Sequence, residues 1–518
     1  MHEVFSRPIT RRATLSGLAL AAVSAPLLTA CSSSGTPTTG STRDFTALDL
    51  DSSASTEQTM TVGTDAGDVK VTHRQYDSIV YCLDPVDASR QSLTVRVPTA
   101  LNGTTWDASG APIIVSLAIN GYTSATASDG IFGGDASSDG PTPDGSSAPN
   151  AARRADNGAL ALAAGFVVVV PGARGRDAQS SDKAYIGKAP AQIVDLKAVI
   201  RWIRHNAGRM PGDVDHIITT GSSSGGALSV LLGASGDSDL YADQLSAIGA
   251  AETSDAVFAS AAYCPQTDIE HEDVIYEWTF GAQPYNGSTV DKNVSRELAD
   301  GFDVYLDKLG LKGLGGYGAL TADNYGDYLV RTHLQPAATT HLGSLSSADR
   351  ERYLASNPWI TWRDSSASFG FDDFLAHVGR SKPCPAIDQE DLSSAENGLF
   401  GDKNNDARHF TDFGLQLATG DDSARIDQDI PDKLVLMNPM SFLYHANPGR
   451  ARNWFLRVGT SDTDTSPVVC ANLAAITAGL GDNVDALMYW DAGHGANEDA
   501  AAFIAWVSQR TGFTAYSA

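Results

Sequence analysis

The sequence predicts an α/β fold in which a mostly parallel sheet is covered by helices on both faces. Three observations predict it. Continuous apolar runs of strand length, Pro112 to Ala118 and Gly165 to Val170, read as strands buried on both faces. A helical pattern, Pro190 to Asn206, places Ile193, Leu196, Val199, Ile200 and Ile203 on one face and stops near Gly208. The order strand, helix, strand, helix recurs late in the chain, as parallel strands with crossovers require.

In chain order, residues 1–31 stand apart from the fold. Arg11-Arg12 precede an apolar run from Leu15 to Leu28 that is too short and too rich in small residues for a stable membrane span. The run ends Leu28-Thr29-Ala30-Cys31, the pattern of a bacterial lipoprotein signal, with paired arginines like those of twin-arginine export. Cys31 is then the expected lipidated residue, and export to the outer face of the cell membrane is the expected localisation. The Ser/Thr/Gly-rich residues 32–44 read as a flexible tether. About 470 residues remain, enough for a large core and a second unit.

Charge narrows the partners. With 62 acidic against 36 basic residues and a formal net charge of −26, nucleic acid and anionic membrane surfaces are disfavoured. A membrane contact is expected only through the N-terminal lipid. Cys82, Cys264, Cys384 and Cys470 show no metal-ligand spacing, and sequence alone does not pair them.

Residues 58–98 alternate apolar and polar side chains between Gly, Asp and Pro turns, as antiparallel strands do. After the buried strand 112–118 and the sequence Asn120-Gly121-Tyr122, residues 124–150 read as a loop. Past the second buried strand and the 190–206 helix comes the stretch around which the chain is organised. Ile217 to Thr220 reads as a strand, Gly221-Ser222-Ser223-Ser224-Gly225 as a tight turn, and Ala227 to Leu232 as a helix. In a chain with 49 glycines the Gly-x-Ser-x-Gly pattern is weak by itself; the strand–turn–helix context gives it meaning. Residues 265–430 lose the alternation and read as an inserted lid, leaving 45–264 and 431–518 as the core. Order returns with a strand at 454–458, a helix near 468–478, a strand at 486–490 and a last helix from Ala500.

A serine becomes a useful nucleophile only beside a base that an acid orients. In α/β-hydrolases the order is Ser, acid, His, each on a loop after a strand. Here Ser223 is the expected nucleophile, and His494, between glycines after the last strand, the expected base; His445 and His409 are the fallbacks. Asp462 is the preferred acid, with Asp464 and Asp491 as alternatives. The oxyanion needs two N–H donors. Ser224 supplies one; Gly121 or Tyr122 supplies the other, with the loop 171–176 as competitor. No cofactor is expected. Asp402 to Asp406 begins like a calcium loop but lacks the glycine and glutamate such loops need, and Glu270-His271-Glu272-Asp273 reads as a solvated acidic face.

Several stretches together resemble one family. They are Tyr185 to Pro190, Gly208 to Asp213, Ile217 to Leu232, Tyr263-Cys264-Pro265, Lys382 to Asp388, Glu396 to Gly401, His409-Phe410-Thr411, and the end carrying Asp462, Asp464 and His494. From about residue 60 to 510 the chain resembles bacterial tannases of subtype B, serine esterases with an α/β-hydrolase core and a large inserted lid. The resemblance implies Ser223, Asp462 and His494 as the triad. It further implies that Lys382, Glu396 and Asp464 contact the hydroxyls of a galloyl group, a small phenolic ester being the substrate. It departs at Ser224, where Ala is frequent, and at Gly398, where Asn is usual. Competing readings are a broader carboxylesterase or feruloyl-type esterase, a peptidase of the same fold, and an inactive surface-binding lipoprotein. The last requires a missing triad member, and the sequence lacks none.

Overall fold

The computed structural model describes residues 43–127, 157–287 and 289–517. The expected signal, Cys31 and nearly all of the tether lie outside the described residues, as does most of the expected 124–150 loop.

A ten-stranded sheet runs through the core. Its first strands, β1 (Thr56–Thr64), β2 (Gly67–Val80) and β3 (Ser92–Leu101), pair antiparallel, and the short β4 (Thr104–Thr105) folds back on β3. Next come β5 (Pro112–Leu117), β6 (Val167–Pro171), β7 (Asp213–Ser222) and β8 (Ala259–Tyr263). Two small hairpins, β9 (Lys312–Gly313) with β10 (Gly318–Ala319) and β11 (Thr361–Arg363) with β12 (Ser366–Ser368), lie apart from the sheet. The sheet is completed by β13 (Asn453–Gly459) and β14 (Asn483–Tyr489). The spatial order is β1-β2-β3-β6-β5-β7-β8-β13-β14, parallel from β6 onward.

The apolar runs explain the layering. Successive side chains of a strand point to opposite faces, so a continuous apolar run needs cover on both. Ile113, Val115, Val167, Val169, Trp454 and Leu456 pack on one face, against the helices Ala191–His205, Ser224–Ser235 and Pro467–Gly479. Ile114, Val168, Val170, Ile218 and Phe455 pack on the other, against Asn157–Ala163 and Ala500–Thr511. The start of the described chain is bound into the core: Trp202 Nε1 donates to the Leu48 carbonyl at 2.9 Å, and the Leu50 amide to Asn206 Oδ1 at 2.7 Å.

Between β8 and β13 the chain is mostly helical, which the absent strand–helix alternation did not reveal. The aromatic residues there build a core of their own. Trp278 stacks on Phe302 at 4.2 Å and meets Tyr325 edge-on at 5.6 Å. Asn472, on a core helix, joins this segment to the sheet layer through Tyr325 and Tyr305, at 2.5 and 2.9 Å.

Candidate active site

Register brings the ends of β5, β7, β8, β13 and β14 to one edge: Leu117 opposes Gly221, Gly221 opposes Ala262, Tyr263 opposes Arg457, and Gly459 opposes Tyr489. The loops leaving this edge carry most of the residues singled out in the sequence.

Ser223 alone makes the turn between β7 and the helix Ser224–Ser235. Its backbone sits at φ 57°, ψ −126°, a conformation that costs a non-glycine residue on the order of 1–3 kcal/mol. Backbone hydrogen bonds hold it there. Its N–H donates to the Tyr263 carbonyl at 3.0 Å, and its carbonyl accepts the Ala227 N–H at 2.8 Å. The flanking glycines are demanded by close approach: a Cβ on Gly221 would lie 2.5 Å from the Gly225 backbone, and one on Gly225 would lie 2.7 Å from the Leu117 carbonyl.

His494 Nε2 lies 2.8 Å from Ser223 Oγ. Its Nδ1 lies 3.1 and 3.0 Å from the two carboxylate oxygens of Asp462. Asp462 is fully buried, and its Oδ1 also accepts the N–H groups of Asp464 and Thr465 at 2.9 Å each. Burial opposes charge on the His494 ring, and the Asp462 carboxylate beside Nδ1 raises its affinity for a proton, as a general base requires. The alternatives are engaged elsewhere. His409 Nδ1 bonds Asp388 at 2.8 Å, His445 is exposed beside Tyr444, and Asp491 bonds Tyr353 and His377.

Hydrogen-bond accounting separates the candidate oxyanion loops. From Gly172 to Arg176 every N–H is spent, on Ser92 O, Ala125 O, Asp195 Oδ2, Ser124 Oγ and Tyr122 O in turn. That loop has no backbone donor to offer. The N–H groups of Ser224, Gly121 and Tyr122 have no acceptor among the described residues. The 119–122 loop is tied to the elbow through the Ile119 carbonyl, which accepts the Gly225 N–H at 3.1 Å and Ser224 Oγ at 3.2 Å.

Cys82, Cys264, Cys384 and Cys470 are free thiols. Cys264, which the sequence left unpaired and placed within the Tyr263-Cys264-Pro265 stretch, lies at the site. Its Sγ accepts the Gly495 N–H at 3.2 Å and lies 3.3 Å from Ser222 Oγ. It therefore links the residue before Ser223 to the residue after His494.

Lys382, Asp464 and Glu396 share one region. Lys382 Nζ lies 3.2 Å from Asp464 Oδ1 and 3.3 Å from the Asp464 carbonyl. Burial works against the Lys382 charge, yet Asp464, Glu396 and Glu272 together hold its ammonium above the usual value. Burial also works against the Asp464 carboxylate, and Lys382 and then His494 hold it below. Glu396 is 4% exposed, burial raises its carboxyl above the usual value, and its Oε1 has no partner among the described residues.

The helix Ile269–Phe280 supports this group. Tyr276 Oη accepts the N–H groups of Ser381 and Lys382 at 3.2 and 3.0 Å. Glu277 takes both arms of Arg380 at 2.8 and 2.5 Å, and Arg380 also donates to the carbonyls of Lys382 and Pro383 at 2.8 Å each. Asp273 accepts three successive N–H groups, those of Ala386, Ile387 and Asp388, at 2.6–2.8 Å. The expectation of a solvated acidic face at 270–273 is therefore corrected: Glu272 and Asp273 are buried. Partners from distant loops make burial of Asp273 tolerable, and Asn438 bridges Asp268 and Glu270 at 2.7 and 2.8 Å. The other stretch that began like a metal site, 402–406, is a turn in which Asp402 accepts the N–H groups of Asn404 and Asn405.

A parallel sheet with a strand–serine–helix elbow at its carboxyl edge defines the α/β-hydrolase fold, and a model of one family of that fold, BD-FAE, matches residues 154–272. Solved structures narrow the class. A tannin acyl hydrolase in complex with ethyl gallate superposes with a TM-score of 0.75 at 30% identity, covering 89% of this chain and 98% of that one. The tannin acyl hydrolase of Lactobacillus plantarum in its native structure (TM-score 0.74) and the tannase of Fusobacterium nucleatum (TM-score 0.72) each show 30% identity over 90% of this chain and 99% of theirs. The chain belongs to the tannase family and is an ester hydrolase of that kind. No curated protein matches it in sequence.

Proposed function

We propose that the protein hydrolyses galloyl esters through an acyl-enzyme on Ser223. Supporting this most directly is the unbroken hydrogen-bonded line from Ser223 through His494 to Asp462, with the Lys382–Asp464 pair two residues from its acid. His494 Nε2 takes the Ser223 proton as Oγ forms a bond to the ester carbonyl carbon. The electron pair displaced from the carbonyl becomes the oxyanion, received by the Ser224 N–H and one from Gly121 or Tyr122. Collapse breaks the bond to the alkoxy oxygen, which leaves as alcohol with the proton from His494. Water then repeats the sequence on the acyl-enzyme and releases the free acid. Asp462 fixes the ring and stabilises the imidazolium formed at each transfer.

Lys382, Glu396 and Asp464 read the ring hydroxyls. A carboxylate accepts phenolic hydrogen bonds, and an ammonium donates to the ring oxygens. Rates on methyl gallate, methyl ferulate and p-nitrophenyl acetate, measured side by side for the wild type and Ser223→Ala, test the reading. The expected result is a strong preference for gallate that Ser223→Ala abolishes without unfolding the protein. Equal turnover of gallate and ferulate would make it a broader esterase, and turnover by Ser223→Ala would end the serine mechanism. Tannases carrying ethyl gallate and 3,4-dihydroxybenzoate lend weight to the phenolic assignment. The Leu28 to Cys31 motif supports an exported, lipid-anchored protein, to be tested by whether Cys31→Ala leaves the membrane fraction.

A further inference from the structure

Glu272 is a buried carboxyl that neither the triad nor the three implied ring contacts use. It stands on the helix Ile269–Phe280 and is 4% exposed. Its neighbours on that helix are all engaged: Asp273 by three N–H groups, Tyr276 by two, Glu277 by Arg380. No protein group among the described residues donates to either carboxyl oxygen of Glu272. It borders a narrow, closely packed gap together with Tyr276, Ile387, Asp464 and Ser466. Glu396 and Lys382 lie within its electrostatic reach. An unpartnered buried carboxyl is a cost to the fold, and such groups are rare unless a ligand engages them.

We propose that Glu272 is a fourth residue of the acyl site, placed to hydrogen-bond a hydroxyl of the phenolic ring that Lys382, Glu396 and Asp464 receive. The inference rests on the galloyl-ester reading and deepens it. Among the described residues three buried carboxyl oxygens here have no partner, two on Glu272 and one on Glu396. A galloyl ring carries three adjacent hydroxyls, so each unpaired oxygen can be matched by one phenolic donor. Burial, and after it the charge of Glu396, hold the Glu272 carboxyl well above its usual range. The Lys382 ammonium already supplies positive charge to the site, so nothing in it calls for a cation.

The test compares Glu272→Leu and Glu272→Gln with the wild type on methyl gallate and methyl benzoate, and follows the melting temperature of each free enzyme. A carboxyl kept for substrate at the expense of the fold has an unusual signature. Glu272→Leu lowers the gallate-to-benzoate ratio of kcat/KM by about tenfold or more while raising the melting temperature. Glu272→Gln, which keeps a donor and an acceptor, retains most of the ratio. An unchanged ratio in Glu272→Leu overturns the proposal. So does a lowered melting temperature with both esters slowed in equal proportion, which would mark a structural residue. If the wild type does not prefer gallate to benzoate, the galloyl reading itself has failed, and that is seen before any variant is made.

Discussion

Breaking the buried Glu277–Arg380 pair should destabilise the protein and loosen the acyl site together. Both side chains are fully buried, at 0% exposure. Glu277→Ala leaves two arms of the Arg380 guanidinium and the Ser295 hydroxyl without their acceptor. Removing one partner of such a pair costs about 3–5 kcal/mol, because the remaining charge stays buried and uncompensated. Replacing both, Glu277→Leu with Arg380→Met, removes the stranded charge, and most of the loss should be regained. What the pair of substitutions cannot restore is the grip of Arg380 on the carbonyls of Lys382 and Pro383. Equilibrium unfolding in urea measures the first effect. The ratio of kcat/KM on methyl gallate to that on p-nitrophenyl acetate measures the second, and it should stay low in the doubly substituted protein. The reasoning is refuted if Glu277→Ala costs less than about 1 kcal/mol, or if the double replacement is as unstable as the single one.

Cys264→Ala should lower kcat about fivefold, the worth of one hydrogen bond of about 1 kcal/mol, and leave KM for methyl gallate in place. Cys264→Ser should recover part of the loss; a change confined to KM would argue against a role in aligning Ser223 and His494. Glu272 predicts a pH effect on stability. Its folded value is raised by burial and by Glu396, Asp273 and Asp268 against the opposing Lys382, so unfolding releases a proton above the ordinary glutamate range. Wild-type stability should therefore fall relative to Glu272→Gln as pH rises from about 4.5, by at most about 1.4 kcal/mol per pH unit. Thermal melts of both proteins across pH 4–8 check it, and a constant difference would show that Glu272 ionises as freely in the fold as in the unfolded chain.

The parts of the site that sequence revealed are those written locally. Ser223 follows β7 at once, His494 follows β14 after a short turn, and both stand among glycines, so each is marked by its local sequence. The choice between Gly121–Tyr122 and the 171–176 loop was open in the sequence because it depends on where each N–H ends up. The Asp195 and Ser124 side chains that occupy the second loop come from elsewhere in the chain. The segment after β8 was illegible for a related reason. On the helix Ile269–Phe280 the residues turned inward at 272, 273 and 277 are carboxylates, so its polarity pattern reads as a solvated surface. The compensation of Asp273 and Glu277 comes from residues 380–388, more than 100 positions away. Lys382 and Glu396 carry no local mark and were found only through family resemblance.

The helix Ile269–Phe280 begins a few residues after β8, where the Gln266 carbonyl accepts the Tyr122 hydroxyl at 2.7 Å, and within twelve residues it supports most of the proposed acyl site. The proposed Glu272 contact and the support of the Lys382 backbone are therefore carried by one short, contiguous stretch, physically joined to the catalytic edge yet separate from the three residues of the proposed triad. Inheritance and engineering can both exploit that separation. Exchanging a single twelve-residue segment could retune which aromatic acid is accepted while the hydrolytic chemistry passes on intact, so long as the new helix still pins the 380–388 loop.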